Sequence, residues 1–308
     1  MMKPKKIFLP LLPLALGVVL WSQNEVANAD ATRAPIQGGD APAGALAQGE
    51  PTDFPQGPLF PYSLLDSALA GNVDTSGYVY YTNLKDNKSL NWFLKAVATA
   101  DLKQFPVFDV YATDPQTGRD TVVKKNRTSE LVFWINAYNA HILHAIAHAY
   151  PIKSIDEIKD FDTAVKYNVA GKNYSFKQLR EKILSFGDAR ALFALTTGTL
   201  GGFLPSPTAV RYVEFDARMN SAVEVFVNDP RNVSINRIAN TVTVSRHFEE
   251  INDAFSKSNN RRKFEGVRTV LSAYAKNKGY FTAGDYRIEF VDADRGLNVK
   301  SSRGLNSE

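Results

Sequence analysis

The run Ser129–Tyr150, SELVFWINAYNAHILHAIAHAY, constrains this chain more than any other stretch. It is apolar and rich in alanine, so it reads as one long helix at the centre of a domain. Pro151 stops it, because proline has no N–H to continue the ladder. Ser129 fits the N-cap, and Glu130 suits the positive end of the helix dipole. Two amides, Asn136 and Asn139, interrupt the apolar surface, and a buried amide needs hydrogen-bond partners. They either tie loops to the helix through backbone groups or line a pocket and orient a ligand.

The same helix carries three histidines. At about 100° per residue, His141, His144 and His148 fall within an arc of about 60°, largely away from the two asparagines. Spacings of i+3 and i+4 let three imidazoles reach one ion, which makes the stripe a metal candidate. The helix offers no carboxylate at a ligand-like spacing, and one ordinary helix face accounts for the stripe equally well.

Around this helix the pattern is mixed. Leu90–Ala100 is helical, and Phe105–Asn126 reads as a β insertion turning at Asp114-Pro115-Gln116-Thr117-Gly118. Val165–Val169 and Lys172–Tyr174 form a hairpin about Ala170-Gly171, and Ser175 opens a helix to about Leu184. Ala191–Leu195 is a short strand or helix leading into the loop Thr196–Gly202. Asp216–Val227 is a helix, Val233–Ile235 and Thr241–Val244 a second hairpin, Arg262–Lys276 a helix, and Tyr286–Val291 a last strand. Helices interleave with hairpins without a regular βαβ rhythm, so the fold class is α+β, a single domain over 62–298.

The N-terminus reads as a leader. Met1–Lys6 is basic, Ile7–Trp21 apolar, and Ala27-Asn28-Ala29 a small-x-small cleavage signal. The expectation is export to the periplasm or beyond, with cleavage after Ala29 and no stable membrane span afterwards. Residues 30–61, rich in Ala, Gly, Pro and Gln, read as a flexible linker, and 299–308 as a disordered tail. The net charge of +4 falls to +2 without the leader, which leaves no electrostatic footprint for nucleic acid. There are no cysteines, so disulfides, zinc–thiolate sites, lipidated cysteine and a thiolate nucleophile are all excluded.

Several stretches resemble one family, the bacterial and plant proteins grouped as domain of unknown function 547. Phe133-Trp134-Ile135-Asn136-Ala137-Tyr138-Asn139-Ala140 resembles its most specific signature. Tyr80-Tyr81-Thr82-Asn83-Leu84-Lys85, Val169-Ala170-Gly171-Lys172, Phe226–Val233 and Asp292–Asn298 give further likeness, together spanning about 79–298. His144 falls where many members carry histidine. The resemblance implies no defined activity. The departures are specific: Arg180-Glu181 replaces a Glu-His pair, Thr197 and Gly202 stand at or near two cysteine positions, and Arg295 replaces a closing aromatic. A thiolate–imidazole pair, if relatives use one, is lost here in both halves.

The remaining polar features are read more simply. Thr196–Gly202 could cradle an anion on its backbone, yet it matches neither G-x-x-x-x-G-K-[ST] nor G-x-G-x-x-G. Asp229-Pro230-Arg231 ends a helix, with Arg231 free to pair a carboxylate. Asp292 and Asp294 suit either a cation or a turn, and Glu249, Glu250 and Asp253 read as a solvated acidic face. No G-x-S-x-G or H-E-x-x-H motif is present, and no cofactor is expected. The candidate pocket residues are Asn136, Asn139, His144, Thr197, Arg231 and Asp294. The leading expectation is a binding or interaction module whose partner is an envelope protein or a small molecule. The alternatives are an envelope hydrolase or acyl transferase using Thr197 and His144, and metal binding by the histidine stripe.

Overall fold

The structure, a computed structural model, describes residues 60–113, 119–256, 264–283 and 285–300. The expected leader, nearly all of the linker, the turn at 114–118 and most of the tail lie outside these residues. Of the linker, Phe60 is described and packs its ring edge-on against Phe93 and Phe133. Of the tail, Val299 and Lys300 are described and pair alongside Val79, with Lys300 N–H donating to its carbonyl at 2.9 Å.

Helix α4 (Thr128–Ala149) is the axis of the larger core, with Phe133, Trp134, Ile135, Ala137 and Ile146 wholly buried. It starts one residue earlier than expected, which puts Ser129 inside the first turn with no capping role. Asn126 Oδ1 accepts from Thr128 N–H instead, at 2.9 Å. Glu130 does lie in the first turn, where it pairs with Arg127 and accepts from the Trp134 indole at 3.2 Å. A buried indole N–H thereby gains the partner it needs.

Helices α1 (Tyr62–Leu69), α2 (Tyr81–Leu84) and α3 (Lys88–Ala98) pack around α4. Strands β1 (Phe108–Thr113) and β2 (Asp120–Asn126) form an antiparallel pair, as do β3 (Tyr167–Val169) and β4 (Lys172–Tyr174). Helix α5 (Phe176–Leu184) opens on a reciprocal capping box between Ser175 and Gln178. Ala189–Ala194, expected as a short strand or helix, is a 3₁₀ segment.

A second core forms over a three-stranded sheet in the order β5 (Val233–Asn236), β6 (Thr241–Ser245), β7 (Arg287–Val291). The hairpin β5–β6 is antiparallel, while β6 and β7 are parallel. A parallel pair needs a long crossover, here α7 (His247–Phe255), α8 (Glu265–Tyr274) and α9 (Lys278–Ala283). Helix α6 (Phe215–Val227) closes this core with Val223 and Phe226. The helix expected over Arg262–Lys276 is thus shorter where described, and α9 follows it. Among the described residues no helix is long and apolar enough to cross a membrane. The architecture is α+β.

Candidate functional site

The two asparagines of α4 each clasp a passing backbone. Asn136 donates to Val210 O and accepts from Val210 N–H, both at 2.9 Å. Asn139 donates to Ala194 O at 2.8 Å and accepts from Thr196 N–H at 2.9 Å. A carboxamide offers a donor and an acceptor side by side, so it substitutes for one rung of a β-ladder. Both residues border a small, mainly apolar cavity of about 70 Å³ with Leu65, Phe193 and Ala222. Each amide already spends a donor and an acceptor on the backbone, so its first role here is to fix the segments beside α4.

Asn139 thereby sets the start of the loop Thr196–Gly202. The loop closes on itself, with Thr197 N–H donating to Phe203 O at 3.0 Å and the Thr197 and Thr199 hydroxyls 2.9 Å apart. Gly202 makes that closure feasible, since a Cβ there would lie 1.8 Å from Thr197 Oγ1 and 2.6 Å from Thr199 Oγ1. Gly198, at φ +71°, adopts a conformation that side chains rarely tolerate. The far edge of the loop pairs with the closing segment, through Leu200 N–H to Gly296 O and Gly201 N–H to Asp294 O.

The hydroxyl side of this loop faces a cleft of about 200 Å³. Its walls come from α4 (Tyr138, Ile142), the 3₁₀ segment (Leu192), α5 (Arg180), α7 (His247, Glu250) and the closing segment (Arg295), with Asp162 at one side. The two cores therefore meet at this cleft, and each supplies part of it. Arg180 donates through Nη1 and Nη2 to Asp162 Oδ1 and Oδ2 at 3.0 and 3.1 Å, and through Nη1 to the Tyr138 hydroxyl at 3.2 Å. Glu250 stands 3.7 Å from Arg180 Nε. Arg295 is held by Asp156, with Nε at 2.6 and 2.8 Å from its two oxygens.

Burial and charge set the protonation of the cleft. Desolvation pushes the His247 imidazole down to about 4, and the positive charges of Arg295 and Arg180 press the same way. It is neutral near pH 7 and can accept or donate one hydrogen bond. Burial pushes the Tyr138 hydroxyl up to about 12 despite the adjacent Arg180, so it stays protonated. Arg180 is held more firmly charged by Tyr138 and Asp162, which outweigh its own burial.

The structure brings together only part of the expected set. Thr197 lines the cleft, whereas Asn136 and Asn139 border the smaller cavity. His144, expected beside Thr197, lines neither: its ring lies 4.0 Å from that of His148, and its carbonyl meets His148 Nδ1 at 2.9 Å. His141 is buried against the Tyr167 ring, with centroids 4.9 Å apart. Among the described residues no group of three or more His, Cys, Asp or Glu is placed to hold a metal ion. Arg231 pairs with Asp229, and Asp294 caps its own turn by accepting from Gly296 N–H at 2.9 Å; neither lines either of these two cavities.

Arg180, Thr197 and Arg295, which the sequence reading takes as departures from the resembled family, all line this one cleft. His247, Glu250, Asp162 and Tyr138 were not expected there. Glu250 reads in sequence as one more charge on a solvated face. His247 carries a signal in its position, the first residue of an amphipathic helix straight after an alternating strand, but nothing local points it at Thr197.

Residues 123–227 match the model of a family described as a protein of unknown function, DUF547. This segment carries Tyr138, Arg180 and Thr197, while His247, Glu250 and Arg295 lie beyond it. Neither the curated proteins nor the solved structures give a match.

Proposed function

We propose that this chain is a non-catalytic binding module that takes a small molecule in the Thr197 cleft. One observation carries the reading: the polar groups of the cleft are held by each other rather than poised for chemistry. Arg180 is fixed by Asp162 and Tyr138, and the Thr197 hydroxyl bonds the Thr199 hydroxyl instead of a base. A threonine hydroxyl without a base beside it is a weak nucleophile. Preorganised donors with no activated nucleophile suit recognition, since fixed side chains lose little entropy on binding.

The module acts outside the cytoplasm, on the strength of the leader-like sequence at 1–29. Expression of the full chain in its own host tests both points. The expected result is an envelope protein beginning at Asp30, whose native mass spectrum carries a stoichiometric extra mass that Arg180→Ala loses. A chain retaining Met1 in the cytoplasm would overturn the export. A bare monomer from every fraction, with no adduct after incubation with an envelope extract, would overturn the binding role.

One observation favours a hydrolase or acyl transferase instead. His247, rather than the expected His144, shares the cleft with Thr197 and is neutral, as a general base must be. An acyl adduct mapped to Thr197 after treatment with an activated ester, and absent from His247→Ala, would establish that reading over the first.

A further inference from the structure

Resting on the binding reading, the ligand class can be narrowed from the donors that the cleft leaves open. A guanidinium has five N–H groups in a fixed planar fork. Arg180 commits three of them, two end-on to Asp162 and one from Nη1 to Tyr138 Oη. What remains is Nε–H and the second N–H of Nη2, which together form the side-on edge that matches an oxyanion bidentately. Glu250 stands at that edge, its carboxylate 3.7 Å from Nε, an ion pair but beyond hydrogen-bond range. Glu250 lines the cleft from α7 with its side chain 45 % exposed, so it can swing to solvent.

The other walls point the same way. Arg295 brings a second guanidinium, whose Nε and Nη2 are taken by Asp156. Among the described residues its Nη1 makes no hydrogen bond. Of the Thr197 and Thr199 hydroxyls, one must donate to the other, so the pair keeps one O–H for a ligand. Asp162 is committed to the end of the Arg180 fork. Burial is the first cause that holds the His247 imidazole down, with Arg295 and Arg180 pressing the same way, so a neutral ring stands beside the two guanidinium groups.

We infer that the cleft binds a small molecule through an oxyanion, a carboxylate or a phosphoryl group, seated on the open Nε/Nη2 edge of Arg180 and flanked by Arg295 and the Thr197–Thr199 hydroxyl pair. Tyr138 and Asp162 are positioning residues that hold the fork in register, and Glu250 competes for the edge until the ligand displaces it.

The test is a titration of the full chain with succinate, inorganic phosphate and, as a neutral control, acetamide, followed by NMR of the arginine Nε–H and histidine ring signals. The expected result is saturable movement of the Arg180 Nε–H and His247 signals with succinate or phosphate and none with acetamide. Which of the two binds tighter identifies the source of the oxyanion. Arg180→Lys, which keeps the charge but loses the fork, should weaken binding about tenfold or more. Glu250→Gln should tighten it several-fold, an effect that a purely structural Arg180 would not produce. Saturation by neither anion at millimolar concentration, or tighter binding by Arg180→Lys, overturns the inference. If native mass spectrometry still finds a neutral molecule in the cleft, only the oxyanion falls and the binding reading stands.

Discussion

Arg180 and Asp162 meet fork to fork, Nη1 3.0 Å from Oδ1 and Nη2 3.1 Å from Oδ2, across the mouth of the cleft. The pair is lopsided, because the arginine side chain is 23 % exposed and the aspartate 50 %. Solvent screens such a pair, so its removal is expected to cost about 1 kcal/mol or less, a fall in Tm of about 2–4 °C at most. Its effect on the cleft is larger. In Asp162→Ala the guanidinium is free to turn toward Glu250, which closes the open edge. Ligand affinity should therefore drop about tenfold while calorimetry shows a nearly unchanged transition. A Tm loss far above this range, with affinity kept, would make Asp162 a structural residue only.

Asn136 is expected to behave in the opposite way. Its amide satisfies both the N–H and the C=O of Val210 in a wholly buried place. Asn136→Ala leaves two orphaned backbone groups, and each costs about 1–3 kcal/mol where water cannot reach. The variant should lose several degrees in Tm, and Asn136→Asp, which keeps an acceptor for Val210 N–H, should lose its share through the carbonyl. Unchanged melting of Asn136→Ala by calorimetry would mean that the clasp contributes little.

What could be read from sequence and what could not divides by distance along the chain. The helix start at Ser175, the hairpin at Ala170-Gly171 and the stop at Pro151 are local, and their residues dictate them wherever the segment sits. That Asn136 and Asn139 need partners is also local; that the partners are Val210, Ala194 and Thr196 is not. The alternation of Tyr286–Val291 shows a strand, but its parallel pairing with β6 depends on how three helices cross over. The cleft suffers most from this limit. Thr197 was a candidate, yet its neighbours His247, Glu250 and Arg295 come from the second core and the closing segment. The resemblance favours His144, where many members carry histidine, and the helix turns it away from Thr197.

Buried His141 and half-buried His144 and His247 predict acid sensitivity. Burial is the first cause that holds His141 at about 3, His144 at about 4 and His247 at about 4, against an ordinary 6.5. Below 6.5 the unfolded chain takes up protons that the folded chain refuses, so stability is full above that pH and is lost as pH falls toward about 4. Asp156 and Asp229, held below their ordinary 3.8 mainly by Arg295 and Arg231, act only beneath this window. Urea midpoints measured from pH 7.5 to 4.5 should fall steadily. In His141→Phe the slope should flatten, since phenylalanine fills the same slot against Tyr167 and cannot titrate. A midpoint independent of pH across this interval would contradict the desolvation of these three rings.

Gly202 supplies the sharpest test of the loop. Its backbone lies so near the hydroxyl pair that an added Cβ would sit 1.8 Å from Thr197 Oγ1 and 2.6 Å from Thr199 Oγ1. No rotation of the new methyl relieves this, because Cβ is fixed by the backbone. The threonines must move, and Thr197 is tethered by its N–H to Phe203 O. Gly202→Ala is therefore expected to cost about 1–3 kcal/mol as overpacking and to abolish ligand binding with it. Thr197→Ala removes the nearer oxygen and leaves the farther one. Combined with Gly202→Ala it should restore part of the lost stability, so the two changes together should cost less than their sum. Binding should stay impaired in the double variant, because the hydroxyl pair is gone. Calorimetry on the four proteins of this cycle measures the coupling. Strict additivity would show that Gly202 and Thr197 do not meet as described, and would remove the reason for a glycine at that place in the loop.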